Sequence, residues 1–85
     1  MTKRKLPTPY SMVCVEWIDS CEPNDNAEVP LHEVPKPQQI YQVGLLIKDE
    51  EDFISVAGAW KSEDKVFDYV ITIPKSAVRR IIRLR

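Results

Sequence analysis

The stretch from Tyr41 to Trp60 constrains this chain most. Two runs rich in Val, Ile, Leu and aromatic residues flank Lys48-Asp49-Glu50-Glu51-Asp52. Four consecutive carboxylates repel one another and hold water tightly, so the middle of the stretch suits a solvent-exposed turn, while the flanking runs suit pleated strands. A β-hairpin with an acidic tip is predicted. In its first strand Val43, Leu45 and Ile47 share one face, and Gly44 on the other permits a sharp bend or a close backbone approach. In its second strand Ile54, Val56, Gly58 and Trp60 alternate with Phe53, Ser55, Ala57 and Ala59. Both faces are apolar enough for one to be core and the other an interface.

Two more strands are predicted by alternation. Over Tyr10–Asp19, Val13, Val15 and Trp17 form the inner face, opposite Met12, Cys14, Glu16 and Ile18. Over Val66–Ile73, Phe67, Tyr69, Ile71 and Ile73 point one way, and Pro74 ends the run by removing an amide donor. The last segment reads in two ways. Ser76 caps a terminal helix through Arg85, or Ser76–Val78 is a single turn that delivers a short strand over Arg80–Leu84; the β-branched isoleucines favour the strand.

Between the first strand and the hairpin lie residues 20–40, polar and interrupted by Pro23, Pro30, Pro35 and Pro37, hence a long loop rather than a helix. Val29, Leu31 and Val34 are expected to staple it over the mouth of the fold. Residues 1–10 read as a flexible basic tail carrying Lys3, Arg4 and Lys5, and residues 11–85 as a single small domain.

Chemistry is harder to find than architecture. Of 85 residues one is His and two are Cys, so His32, Cys14 and Cys21 make no metal-binding spacing, although a Cys14–Cys21 disulfide is sterically conceivable. There is no glycine-rich phosphate loop and no Ser-His-Asp set, and the paired carboxylates sit on an exposed tip. No enzyme activity and no cofactor are expected. A net charge of −1 gives no general attraction to nucleic acid, but the basic residues cluster at the two ends of the chain. No apolar run is long enough to cross a bilayer as a helix, and the basic start leads into Pro7 and Pro9, so a soluble cytoplasmic protein is expected.

The meander of strands, the long first loop and the closing Ile73-Pro-Lys-Ser-Ala-Val78 turn and strand resemble the small Sm-like and Src-homology-3-like β-barrels. Val15-Glu-Trp-Ile-Asp19, Val43-Gly-Leu-Leu-Ile-Lys-Asp49 and Ile73–Val78 together are similar to a group of short, functionally uncharacterised proteins carried by tailed phages and prophages. The resemblance implies a mostly β, five-stranded meander barrel with one helical turn before the last strand. It implies a phage or prophage accessory protein in a host cytoplasm. Gly44 and Asp49 echo RNA-binding Sm-like members, but Ile73-Pro74-Lys75 stands where their Ile-Arg-Gly type motif would lie, so an RNA-threading ring is not implied.

The functional expectation is a non-enzymatic module that binds a host or phage protein, with self-association into a homo-oligomer as a further use of its apolar faces. Nucleic-acid binding through the basic termini is the alternative. A third reading is a nucleotide sponge formed between subunits. The candidate binding surface is Trp60, Tyr69, Arg79, Arg80 and Arg83.

Overall fold

β-Branched and aromatic residues recur with period two in five runs, each bounded by prolines, acidic clusters or a charged turn. In the computed structural model, which describes residues 8–20 and 28–84, all five are strands: β1 (Ser11–Asp19), β2 (Gln38–Asp49), β3 (Phe53–Lys61), β4 (Val66–Pro74) and β5 (Val78–Arg83). One 3-10 turn, Leu31–Glu33, lies in the loop before β2, and another, Lys75–Ala77, joins β4 to β5. The terminal helix is thus replaced by the turn and strand. The Cys14–Cys21 pairing and residues 1–7 of the basic tail fall outside the described residues; Cys14 is a free, part-buried thiol.

Every neighbouring pair is antiparallel and the sheet order is β4-β3-β2-β1-β5. β4 and β5 are the two edges and do not pair. The sheet is therefore open, where the sequence predicts a closed barrel. Side chains span the gap instead: the ring of Tyr10, just ahead of β1, lies 5.1 Å edge-on from Phe67 of β4 and 6.0 Å from Trp60 of β3.

The curl brings the inner faces together. Val13, Val15 and Trp17 of β1 pack with Ile54 and Val56 of β3 and Ile73 of β4, and Ile40, Leu46, Ile71, Ala77, Val78 and Ile81 close around them. Each large residue sealed there contributes roughly 1.5–3 kcal/mol. Trp17 fits less completely, because its indole Nε1–H is buried without a hydrogen-bond partner among the described residues.

Two features bend the sheet. A Cβ on Gly44 would stand 2.4 Å from the Ala57 carbonyl oxygen, so β2 and β3 approach there only because residue 44 has no side chain. Two residues on, the β2–β3 register slips between Leu46 and Lys48, a bulge that adds local twist. The acidic tip is held as well as solvated: Lys75 Nζ lies 2.8 Å from Asp49 Oδ1, and the Lys75 amide donates to the Asp52 carbonyl at 2.8 Å.

Candidate functional site

The pairing register determines what shares the outer face. Cys14 stands between Val43 of β2 and Ile82 of β5. One row along, Met12 pairs with Leu45, Leu45 with Ala57 and Ala57 with Val70, while the Leu84 amide donates to the Met12 carbonyl at 2.8 Å. Two adjacent apolar rows thus cross β5, β1 and β2, and the second continues to β4. Val43 is 55% exposed, Ile82 and Leu84 are also open to solvent, and Met12, Cys14 and Leu45 are half-buried. Toward β3 the face tightens, because Leu45 and Val70 flank the small Ala57, which is fully buried.

The next row is polar. Glu16 pairs with Tyr41 on one side and Arg80 on the other. Its carboxylate lies 3.3 Å from Arg80 Nη2 and accepts from Gln39 Nε2, which also lies 3.0 Å from the Tyr41 hydroxyl. At the corresponding end of β3 and β4, Lys61 and Asp68 lie 3.1 Å apart. An apolar patch bounded by satisfied polar groups has the anatomy of a docking surface: a core that gains from losing water and a rim that fixes orientation.

The five residues singled out from sequence do not form one site. Arg79, Arg80 and Arg83 lie along β5, whereas Trp60 and Tyr69 lie on β3 and β4 toward the opposite edge. The arginines have local partners. Arg79 Nη1 donates to the Ser76 carbonyl at 3.2 Å, Arg83 Nη1 donates to Ser11 Oγ at 2.6 Å, and Arg80 faces Glu16. Trp60 belongs to the inner aromatic cluster, its ring 4.9 Å from Phe67. Tyr69, predicted to point the same way as Phe67, Ile71 and Ile73, does not share their burial. It has φ 56° and is 83% exposed, and its Cβ covers Gly58 across the ladder.

Two corrections concern the loop and β2. Leu31, expected to staple the loop over the fold, is 90% exposed; the Leu31–Glu33 turn and its flanking prolines hold it away from the sheet. Val43 and Leu45 share the outer face, but Ile47 sits in the bulge. The patch residues Met12, Cys14, Ile82 and Leu84 were legible only as alternating apolar positions, and the signal that unites them is register.

Among the described residues there is no group of three or more His, Cys, Asp or Glu placed to hold a metal ion, and no helix long and apolar enough to cross a membrane. Compared with known proteins, the chain matches no family model, no curated protein and no solved structure.

Proposed function

We propose that this chain is a non-enzymatic binding module that docks a protein partner through the outer face of β5, β1 and β2. The observation that carries the reading is the solvent-facing apolar patch of Val43, Ile82, Cys14, Met12 and Leu84, bordered by the Arg80–Glu16–Gln39 network. A sheet face of this kind gains from a second layer, and the described residues supply none. The five-strand order with a 3-10 turn before β5 agrees with an Sm-like or Src-homology-3-like plan. That plan and the likeness to short phage and prophage proteins support an accessory protein that occupies a host or phage protein in the cytoplasm.

Nucleic-acid binding by the basic strand draws less support, because each β5 arginine already has a partner within the chain. A nucleotide site built from Trp60, Tyr69 and the arginines would need residues from both edges of the sheet. The test is capture from a bacterial lysate by wild-type protein and by Val43→Glu, with thermal melts to show that both are folded. A protein retained by the wild type and lost with the variant supports the outer face. Capture indifferent to the substitution removes it.

A further inference from the structure

We propose that the outer face is covered by the 28–37 arm of a second copy, reciprocally, so that two chains exchange arms about a two-fold axis. The inference rests on the outer-face reading above and names its occupant.

The arm has the form of a prepared ligand. Its 3-10 turn is closed by the Glu33 amide on the Pro30 carbonyl at 2.8 Å and the Val34 amide on the Leu31 carbonyl at 3.3 Å. With three residues per turn, Leu31 and Val34 stand above one another on the same side. Both are exposed, Leu31 at 90% and Val34 at 56%. Pro30, Pro35 and Pro37 fix the backbone on either side, so docking costs the arm less conformational freedom than a glycine-rich loop would lose. Its own sheet does not receive these side chains, so among the described residues the chain has an apolar donor and an apolar acceptor surface with nothing packed on either.

Charge agrees with apolarity. The arm carries Glu28 and Glu33 against Lys36, a net acidic segment. On the outer face of β5 the patch is bordered by Arg80, whose exposed guanidinium lies 3.3 Å from Glu16, whereas Arg83 is in register with Val13 of the inner face. An acidic, apolar-tipped arm laid across β5 and β1 brings its carboxylates toward the exposed Arg80 and its apolar pair over Cys14, Ile82 and Val43.

Size sets the strength. Three strands about 4.8 Å apart and roughly 20 Å long give a face near 300 Å², so two faces and two arms bury about 1,200 Å² in total, at the low end for a specific interface. The dimer is therefore expected to dissociate on dilution.

Sedimentation velocity from micromolar to near-millimolar concentration tests the idea on wild type, Leu31→Asp and Val43→Glu, with thermal melts of each. A second readout mixes ¹⁴N and ¹⁵N chains bearing a photoreactive residue at position 31. The expected result is a wild-type dimer weakened at least tenfold by either substitution with melts unchanged, and cross-links that join light arms to the heavy outer face of β1, β2 or β5. Three results overturn it. If the dimer survives Leu31→Asp but is lost with Val43→Glu, the face associates without the arm, and only the arm exchange falls. Cross-links confined within one chain mean the arm covers its own face, and a monomer at every concentration rejects exchange outright. In that last case the outer-face reading still stands or falls on the lysate comparison of wild type with Val43→Glu.

Discussion

Along β1, Val13, Val15 and Trp17 are sealed from water, while Met12, Cys14 and Ile18 on the other side of the same strand remain partly open. The two sets differ little in hydrophobic character. They differ in what stands opposite: the inner set meets Ile54, Val56 and Ile73 across the curl, and the outer set meets no second layer among the described residues. Apolarity alone thus does not decide which face of a strand is buried. Curvature decides it, and here curvature comes from Gly44, from the bulge before Lys48 and from the Tyr10–Trp60–Phe67 cluster. A face that is apolar but uncovered asks for a partner in a way that a face merely rich in charges does not.

The sharpest way to break this comparison is to remove volume from each face. Ile73→Ala at the inner face is expected to cost about 2–5 kcal/mol, against a total stability on the order of 5–15 kcal/mol for a small domain. Val43→Ala at the outer face should stay within about 0.5 kcal/mol when measured in dilute solution. Urea denaturation of the two variants measures both. Equal losses would mean that the outer face is covered within the chain, and the contrast drawn here would vanish.

The bend itself is open to the next test. Gly44→Ala drives a methyl group into the Ala57 carbonyl and to 2.7 Å from Val56 Cγ1, contacts that backbone and core cannot easily yield. A loss of about 1–3 kcal/mol is expected. Gly58→Ala meets only the Tyr69 side chain, at 3.0 Å, on an exposed edge, so its loss should be smaller. If the order is reversed in denaturation, the close approach of β2 to β3 is not what holds the curl.

A smaller effect tests Ser55, a buried polar side chain behind that bend. Ser55 and Thr72 share a hydrogen bond of 2.7 Å between their hydroxyls across β3 and β4. Ser55→Ala should cost about 1 kcal/mol, and adding Thr72→Val should cost less than the sum of the single changes, because both polar partners then leave together. A double-mutant cycle with no coupling would show that the two hydroxyls act separately.

Much of this fold was legible in the sequence, and what was not has a common cause. The hairpin, the turn before the last strand, the inner face of β1 and the close approach at Gly44 all follow from local alternation and local breakers. The grouping of Ile47 with Val43 and Leu45 did not, because the β2–β3 register slips between Leu46 and Lys48, and a one-residue shift moves side chains to the other face. The expected barrel closure depends on nonlocal pairing that did not form: β4 and β5 stay unpaired edges, and the rings of Tyr10, Trp60 and Phe67, far apart in sequence, meet through side chains. The candidate site was dispersed for the same reason. Trp60, Tyr69 and the arginines are each plausible binding groups, yet strand order sends them to different edges, and only register assembles Met12, Cys14, Val43 and Ile82.

Tyr69 gives the finest contrast, since its backbone and its ring are expected to act in opposite directions. A bulky residue at φ 56° carries a conformational cost that Asn, which tolerates the left-handed region, largely avoids. The ring partly offsets this cost by covering Gly58, which has no side chain to shield the sheet there. Tyr69→Asn removes the strain and the ring; Tyr69→Ala removes the ring and keeps most of the strain. The expected order of stability is Asn above Tyr above Ala, with Asn gaining up to about 1 kcal/mol. Differential scanning calorimetry at matched concentration ranks the three. Should Asn fall below Tyr, the cover over Gly58 outweighs the strain and the side chain is retained for the fold. Should Asn rise as expected, the chain carries a strained, solvent-facing tyrosine at a cost, and the β4 edge becomes a second surface whose side chain serves something other than stability.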